Sequence, residues 1–332
     1  MRILDDVADF ESSAAPLILA IGNFDGLHAG HQQLLEKVVR RARAKNGTSA
    51  VLTFRQHPQH ILHPSSKPPL LTSVNHKLAL FERLGLDLCF LIPFTPDFSR
   101  MEPEDFVEQW LYGMLKVQEL YLGYNARFGR ERKGDSNMMK TLSARHGFYY
   151  EEQVPVSTGG GLVSSSRIRA LIHEGRLEEA QICLARPFSI LAKVVRGAGR
   201  GAKIGFPTAN FEIENEIMPP FGVYPVILNR VEIRKETEPG GKGTGFSSTL
   251  GPRLQGILNY GYRPTFQESQ TEAVPEVFIF DFSETIYGQT FEISFYPRIR
   301  GETAFSSAAA LKTQISQDIE QARRLFQGMA EA

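Results

Sequence analysis

The stretch Ala20-Ile21-Gly22-Asn23-Phe24-Asp25-Gly26-Leu27-His28-Ala29-Gly30-His31 decides the fold of the first half of this chain. An apolar run from Pro16 to Ile21 leads into it and predicts a buried strand. The segment from Gln32 to Ala44 follows it and places apolar residues on one helical face, namely Leu34, Leu35, Val38, Val39 and Ala42. The stretch therefore predicts a strand that turns through glycines into a helix.

Two histidines lie at the entrance of the predicted helix. His28 and His31 are three residues apart, so their side chains project to the same side. The unpaired N–H groups and the positive dipole end of a helix favour an anion at this place. Gly22, Gly26 and Gly30 allow a sharp bend and a close approach of the backbone to a ligand. These features together predict a site for nucleotide phosphates.

The residue types in the turn narrow its chemistry. It contains no lysine, which makes a P-loop kinase site a weak alternative. Two imidazoles donate hydrogen bonds to phosphate oxygens and, when protonated, add positive charge during transfer of a phosphoryl or nucleotidyl group. A pair of histidines that merely begin a helix is the simpler alternative, but Asp25 and the flanking glycines favour the nucleotide site.

Composition limits the class of protein. The chain has 332 residues, 42% hydrophobic and 22% charged, which is enough for two packed cores. Basic and acidic residues number 37 each, so no overall charge favours nucleic acid or an anionic membrane. No apolar run approaches a membrane span, and Cys89 and Cys183 lie far apart in apolar contexts, as buried thiols do. We expect a soluble cytoplasmic protein with small-molecule partners, and association into a homo-oligomer stays open.

Predicted strands and helices alternate through the first half of the chain. Strands predicted at 49–54, 88–94 and 118–122 alternate with helices predicted at 75–84, 104–115 and 138–146. Such alternation predicts an α/β domain with a Rossmann-like parallel sheet that is covered on both faces. Ligands then bind beyond the carboxyl ends of the strands, where the histidine turn lies.

The pattern changes in the second half. Two short helices, predicted at 167–173 and 177–184, are followed from Ser189 by runs of β-branched and aromatic residues separated by Gly, Pro and Asn. These runs predict a small antiparallel β-barrel, and an amphipathic α-helix predicted at 308–326 closes it. We therefore predict domains at 1–186 and 187–332, with a mobile hairpin insertion at 235–249.

The histidine turn resembles the signature of the HxGH nucleotidyltransferases, in the form found in bacterial bifunctional riboflavin kinase/FAD synthetases. The resemblance extends over nearly the whole chain. It implies an FMN adenylyltransferase domain, which joins FMN to the adenylyl group of ATP with release of pyrophosphate, and a riboflavin kinase domain. It makes His28 and His31 catalytic, and it assigns nucleotide binding to the other motif residues, Gly22, Phe24, Asp25, Gly26 and Gly30.

Two further segments of the first domain carry site predictions. His57 follows a predicted strand and so emerges at the ligand edge of the sheet, where the resemblance implies an ATP and FMN pocket; a surface histidine is the alternative. Residues 123–129 resemble the family pattern Gly-x-Asp/Asn-Phe-x-Phe-Gly, which makes Asn125 and Phe128 candidates for flavin binding. Ala126 stands where the family has its first aromatic residue, and core packing is the alternative for Phe128.

The segment Ser164-Ser165-Ser166-Arg167-Ile168-Arg169 opens a predicted helix. A serine at a helix start with an arginine nearby suits phosphate recognition, although serine is common before helices. The segment resembles the family's Ser-Ser-Thr-x-Ile-Arg, and the resemblance implies that Ser165 and Arg167 grip ATP phosphates opposite the histidines.

A second candidate site lies at residues 197–210, which are rich in glycine and basic residues. Thr208 and Asn210 place two oxygen ligands where a hard cation such as Mg²⁺ can bind. A flexible hairpin is the alternative. The segment resembles the Gly-Phe-Pro-Thr-Ala-Asn motif of riboflavin kinases, and we expect its nucleotide-binding residues to be Gly199, Lys203, Gly205, Thr208 and Asn210.

Glu276 is the catalytic candidate of the second domain. It begins a mostly apolar strand, where partial burial suits a carboxylate to accept a proton from a hydroxyl, and an ordinary strand-end glutamate is the alternative. The family has its general base in a Glu-x-His pattern, whereas this chain has Phe278 in place of the histidine. The resemblance also makes Tyr224 and Arg300 candidates for flavin binding.

These features predict an enzyme that phosphorylates riboflavin to FMN and then adenylylates FMN to FAD, with Mg²⁺ and ATP. Two alternatives are a monofunctional riboflavin kinase with an inactive or regulatory N-terminal domain, and a flavin-sensing binding protein. The departure at Ala126 leaves room for the first, and the presence of Glu276 and both histidines disfavours the second.

Overall fold

A computed structural model describes residues 1–12, 14–197, 199–237, 242–262 and 273–330. The chain forms two compact units. The first comprises Met1–Leu70, Val74–Ser165 and Ile233–Ser248, and the second comprises Leu71–Ser73, Ser166–Glu232 and Thr249–Ala332. Because the two units interleave along the chain, the domain boundary between residues 186 and 187 stays a prediction.

The first unit contains the parallel sheet that the sequence predicts. Its strands are β1 (Arg2–Leu4), β2 (Leu17–Ile21), β3 (Thr48–Phe54), β4 (Leu88–Ile92), β5 (Glu119–Leu122) and β6 (Tyr149–Glu152), and a short hairpin follows with β7 (Ser157–Thr158) and β8 (Gly161–Leu162). The order in the sheet is β1-β4-β3-β2-β5-β6, and all neighbours are parallel.

Helices cover both faces of this sheet. They are α1 (Ala29–Ala44), α2 (Pro58–Leu62), α3 (Val74–Arg83), α4 (Pro96–Ser99), α5 (Pro103–Asp105) and α6 (Ser136–His146), with 3₁₀ turns at Val7–Asp9, Pro64–Ser66 and Arg130–Arg132. Ile18 and Ala20 of β2 pack under α1 and α3, while Leu17 and Leu19 pack on the opposite face with α6. This alternation follows from the period of two residues in a strand.

The helix predicted at 104–115 is present, and most of it has an unusual geometry, because Phe106–Met114 is a π-helix. Its buried side chains Phe106 and Leu111, and Leu115 directly after its end, are spaced by five and four residues, which fits the wider turn of i→i+5 hydrogen bonds. The bond from Leu115 N to Trp110 O, 2.8 Å, has this spacing.

The order of the strands determines where a ligand can bind. The chain proceeds from β2 to β3 and β4 on one side of β2, then returns with β5 on its other side. In doubly wound sheets the ligand crevice lies at such a reversal, beyond the carboxyl ends of the strands. The loops that leave β2 and β5 at this point contain His28 and Asn125.

The second unit is mainly antiparallel. Its helices are α7 (Ser165–His173), α8 (Leu177–Leu184), α9 (Arg200–Lys203) and α10 (Ala308–Ala330), and its strands are β9 (Ser189–Val195), β10 (Ala209–Ile213), β11 (Gly222–Thr237), β12 (Thr244–Tyr262), β13 (Ala273–Ile279) and β14 (Thr290–Phe295). The pairing order is β11-β14-β9-β10-β13-β12, and β11 also pairs with β12. Ala322 and Phe326 of α10 are buried, as the amphipathic pattern predicts.

In the segment 235–249, predicted as a mobile hairpin insertion, residues 235–237 end β11 and residues 244–249 begin β12. Positions 238–241 lie outside the described residues, and the mobility of the segment stays a prediction. The distal parts of β11 and β12 belong to the first unit. Strand β1 pairs with β12, with Arg2 opposite Gly245. Phe246 is buried in the same core as Ile3, so this part of β12 packs within the first unit.

A buried ion cluster anchors helix α1, whose first turn carries the histidines. The carboxylate of Glu119 on β5 is 1% exposed and lies 2.6 Å from both Arg41 Nη2 and Lys45 Nζ. Tyr121 also donates a hydrogen bond to it, 2.7 Å. The hydrogen bonds from Arg41 and the other two partners lower the pKa of Glu119 to about 2. The cluster therefore joins the end of α1 to the sheet.

We expect Glu119→Gln to lower the free energy of unfolding by about 1–3 kcal/mol at neutral pH, because the charged hydrogen bonds are lost while both cations keep partial access to water. The contribution of Glu119 is complete above pH 4.5 and is lost progressively as the pH falls towards 2. Denaturant titrations at several pH values test this. Glu36→Gln, an exposed change on the same helix, is the control, and an equal loss in both variants contradicts the prediction.

Candidate active sites

The turn after β2 has an unusual backbone. Phe24, Gly26 and Leu27 have φ angles of 52°, 81° and 42°, in the left-handed region. This conformation is easy for glycine but costly for large apolar residues. Phe24 is 1% exposed, and its ring packs edge-on against Phe81 of α3 at 5.6 Å between centroids. Burial of the two apolar side chains therefore offsets the strain and holds the turn in shape.

The two histidines of the turn stack on one another. Their ring centroids are 3.6 Å apart and the ring planes differ by 15°. His28 is the N-cap of α1, and its Nδ1 accepts a hydrogen bond from the backbone N–H of His31, 3.3 Å. Among the described residues, Nδ1 of His31 has no hydrogen-bond partner. The pair therefore lies at the helix N-terminus with capacity left to bind an anion.

The surroundings keep both imidazoles neutral at neutral pH. Burial lowers the pKa of His28 to about 4. Burial, followed by the charges of His28 and Lys77, lowers the pKa of His31 well below its ordinary value. Without a ligand, the rings can therefore offer hydrogen bonds to a phosphate but not positive charge.

A charge that the sequence motifs do not identify lies beside this turn. The side chain of Lys77 on α3 is buried, and its Nζ lies 3.3 Å from Asn23 O, 3.2 Å from Thr53 Oγ1 and 3.1 Å from Phe54 O. The sequence does contain a sign that Lys77 is buried, because it lies four residues before Phe81 and therefore on the apolar face of α3. Lysine usually points to water, so this signal is easily overlooked.

Ser165 contacts the histidine turn, while its predicted role at ATP phosphates stays a prediction. Its hydroxyl donates a hydrogen bond to the backbone carbonyl of Asp25, 2.9 Å, and it is the first residue of α7. The side chain of Asp25 is buried. Arg167 is assigned to the second unit and is half-buried there, so its role at ATP phosphates stays a prediction.

The other predicted residues of the first unit lie at the ends of strands or just beyond them. His57 follows β3 and caps α2, where its Nδ1 accepts from the N–H of Gln59, 3.2 Å. Asn125 follows β5, is exposed and has a φ of 54°. Phe128 is half-buried and packs against Phe106 at 6.1 Å between centroids. Their contacts with ATP or flavin stay predictions.

The second unit brings Glu276, Thr208 and Asn210 together. Asn210 on β10 lies directly opposite Glu276 on β13, so their side chains share a face of the sheet. Thr208 precedes Asn210 by two residues and so points the same way. Its hydroxyl donates to Glu276 Oε2 over 3.4 Å. Oδ1 of Asn210 is buried and has no hydrogen-bond partner among the described residues.

The glycine-rich loop folds closely over this group. A Cβ atom at Gly197 would lie 2.0 Å from Asn210 Nδ2, and one at Gly201 would lie 2.3 Å from Phe206 O. Only glycine therefore lets the loop approach Asn210 so closely. Gly199 and Gly205 have φ angles of 65° and 89°. The side chain of Lys203 lies outside the described residues.

Phe278 replaces the family's histidine without crowding the carboxylate. It is two residues from Glu276 on β13, on the same face, and packs edge-on against Phe206 at 5.6 Å between centroids. Phe278 therefore forms an apolar contact between β13 and the loop before β10. Nothing in this packing gives Glu276 a second proton carrier.

The two flavin candidates of the second unit have protein partners. Tyr224 is completely buried and donates a hydrogen bond to the carbonyl of Pro220. Arg300 forms a two-pronged ion pair with the buried Asp318 of α10, 2.9 Å at the shortest. The hydrogen bond ties the start of β11 to the segment before it, and the ion pair ties α10 to the segment around Arg300. Contacts of Tyr224 and Arg300 with flavin stay predictions.

Comparisons with known proteins agree with this two-part organisation. A family model described as FAD synthetase matches residues 10–167, and one described as riboflavin kinase matches residues 184–326. Proteins named bifunctional riboflavin kinase/FMN adenylyltransferase are similar to this chain. The one from Bacillus subtilis is 34% identical over 95% of this chain and 94% of its own length, and the one from Haemophilus influenzae is 33% identical over 93% and 94%.

A solved structure has a similar fold along nearly the whole chain. It is described as a macrolide-efflux protein from Streptococcus pneumoniae and is 28% identical, with a TM-score of 0.79 over 97% of this chain and 98% of that one. In the described part of the present chain, no helix has the length and apolar character needed to cross a membrane.

The neutral state of His28 predicts a pH dependence of stability. The folded form resists protonation down to pH about 4, whereas the unfolded form takes up a proton near 6.5, so stability falls as the pH drops between these values. His28→Asn preserves a residue that can cap the helix. We expect the free energy of unfolding of this variant to fall less between pH 6.5 and 4 than that of the wild type, by up to about 3 kcal/mol. Denaturant titrations from pH 7 to 4 test this. His63→Asn, at an exposed position, is the control, and equal pH slopes in both variants contradict it.

Proposed function

The chain belongs to the family of bifunctional riboflavin kinase/FMN adenylyltransferases, and from this premise we propose how its residues divide the two reactions. The enzyme phosphorylates riboflavin to FMN and adenylylates FMN to FAD, with ATP as the co-substrate of both steps. We assign adenylyl transfer to the histidine turn and riboflavin phosphorylation to the group around Glu276. A monofunctional kinase is disfavoured because both family models match.

The stacked histidine pair at the reversal of the parallel sheet is the observation that carries the first assignment. A phosphate oxygen of FMN attacks the α-phosphorus of ATP. The bond between this phosphorus and the oxygen that bridges it to the β-phosphorus breaks, and pyrophosphate leaves with that oxygen. His28 and His31 donate hydrogen bonds to the phosphates, and Ser165 and Arg167 stabilise charge on the leaving group. No protein nucleophile takes part.

Binding of the nucleotide in the first unit uses the rest of the turn. Its left-handed backbone turns amides towards the phosphates, and glycine lets them approach. We assign this role to Gly22, Phe24, Asp25, Gly26 and Gly30, with His57 at the neighbouring strand end. For FMN we assign Asn125, which is exposed beyond β5, and Phe128.

Glu276 carries the second assignment because it lies beside Thr208 and Asn210. The ribityl 5′-hydroxyl of riboflavin attacks the γ-phosphorus of ATP, its proton passes to Glu276, and ADP leaves with the electrons of the broken P–O bond. The loop around Gly199, Lys203 and Gly205 holds the phosphate chain. We expect Tyr224 and Arg300 to support the flavin side of the pocket.

The donor set fits a hard cation. Within the described residues no cluster of three His, Cys, Asp or Glu side chains could hold a metal, so neutral oxygens are the donors to consider. The unpartnered Oδ1 of Asn210 and the hydroxyl of Thr208 are such oxygens, and phosphates complete the set. Mg²⁺ held by these oxygens would supply positive charge next to the transferred phosphoryl group.

We further propose that the ring of strand pairings in the second unit is a closed β-barrel.

We expect His31→Ala to lower FAD formation from FMN and ATP by about 10²-fold or more, because hydrogen bonds to the transferring phosphates are lost. Riboflavin phosphorylation stays unchanged, since its groups lie in another unit. Separate assays of FAD and FMN formation test this, with His63→Ala as control. Equal loss of both activities contradicts the division of labour.

We expect Glu276→Gln to reduce riboflavin phosphorylation by about 10²–10⁴-fold through loss of the general base. The same protein should convert supplied FMN to FAD at the normal rate. Glu284→Gln, an exposed change in the same unit, is the control. Normal riboflavin phosphorylation by the Glu276→Gln protein would overturn the assignment.

A further inference from the structure

A buried cation links three parts of the backbone next to the histidine turn. Nζ of Lys77 contacts the carbonyl of Asn23, which begins the turn, and the hydroxyl of Thr53 and carbonyl of Phe54, which end β3. Thr53 also donates a hydrogen bond to the carbonyl of Asn23, 3.3 Å. All three acceptors of the ammonium group are neutral oxygens.

An ammonium group is expensive to bury among neutral acceptors alone. Burial lowers the pKa of Lys77 to about 8, which leaves it mostly protonated at neutral pH. A methionine or leucine would fill the space without this cost. The position therefore points to a role for the charge.

We propose that Lys77 is a positioning residue for adenylyl transfer, which fixes the histidine turn through its hydrogen bond to Asn23 and acts on His31 through its charge. This inference rests on the proposed function of the turn. The hydrogen bond to the Asn23 carbonyl sets the direction of the peptide that leads into Phe24, and hence of the amides that follow. A displacement of about 1 Å in such a group costs on the order of 10²-fold in rate.

The electrostatic part of the proposal concerns His31. Burial is the main cause of its lowered pKa, and the charges of His28 from the helix cap and of Lys77 from α3 lower it further. Asp25 in the turn acts on Lys77 and raises the lysine pKa, as does Cys89 on β4. Removal of the lysine charge therefore makes His31 easier to protonate.

The first test is kinetic. We expect Lys77→Met to lower kcat for FAD formation by on the order of 10²-fold while the KM for ATP changes less, and to leave riboflavin phosphorylation unchanged. Lys37→Met is the control, because its ammonium pairs with Glu151 at the edge of the sheet. An unchanged kcat in a folded Lys77→Met protein overturns the proposal.

If Lys77→Met does not fold, two smaller changes at Thr53 test the same proposal. Thr53→Val removes one acceptor of the ammonium group and the bond to Asn23, whereas Thr53→Ser preserves the hydroxyl. We expect a loss of about tenfold in kcat for Thr53→Val and normal turnover for Thr53→Ser. Equal rates in the two variants contradict the positioning role.

The second test does not use activity. Titration of the histidine ring signals by NMR, with His31 identified from the His31→Asn protein, follows its pKa in wild-type and in Lys77→Met or Thr53→Val protein. We expect the pKa of His31 to rise in Lys77→Met but not in Thr53→Val, which leaves the ammonium charge in place. An equal rise in both variants would trace the change to looser packing around His31 and not to the charge of Lys77. An unchanged pKa overturns the electrostatic part. If His31→Ala retains full FAD formation, the proposed function of the turn fails instead.

Discussion

The structure depends on one constraint: the backbone after β2 must turn through the left-handed region at large apolar residues. Phe24 and Leu27 accept this strain because their side chains are buried beneath α1 and α3. The same burial places the N-terminus of α1 beyond the end of β2, and with it the stacked histidines. Burial in the core thereby holds a strained turn at the place to which we assign phosphate binding.

Apolar periodicity predicted the strand, the turn and helix α1, and the alternation of elements predicted the parallel sheet. The left-handed conformation of Phe24 had no such signal, because phenylalanine has no preference for it. The π-helix could be suspected only from the spacing of Phe106, Leu111 and Leu115. Lys77 was hidden because a lysine within an apolar helix is usually assumed to reach solvent.

The second unit shows a different limit. Residue type and resemblance indicated Glu276, Thr208 and Asn210, but their proximity results from the register between β10 and β13, which no local pattern reveals. Arg300 shows the reverse case, since its sequence position suggests a ligand contact while its guanidinium is engaged by Asp318. Partners distant in sequence decide whether a candidate group has capacity left for a ligand.

The pairing of β1 with β12 has a consequence for how the protein is made. The core under α1 and α3 includes Phe246, so the N-terminal unit lacks part of its interior until that residue has left the ribosome. Vectorial synthesis therefore cannot finish the first domain before the second has begun. A gene divided near its middle would leave the leading fragment without Phe246, and so with an apolar hollow in its core.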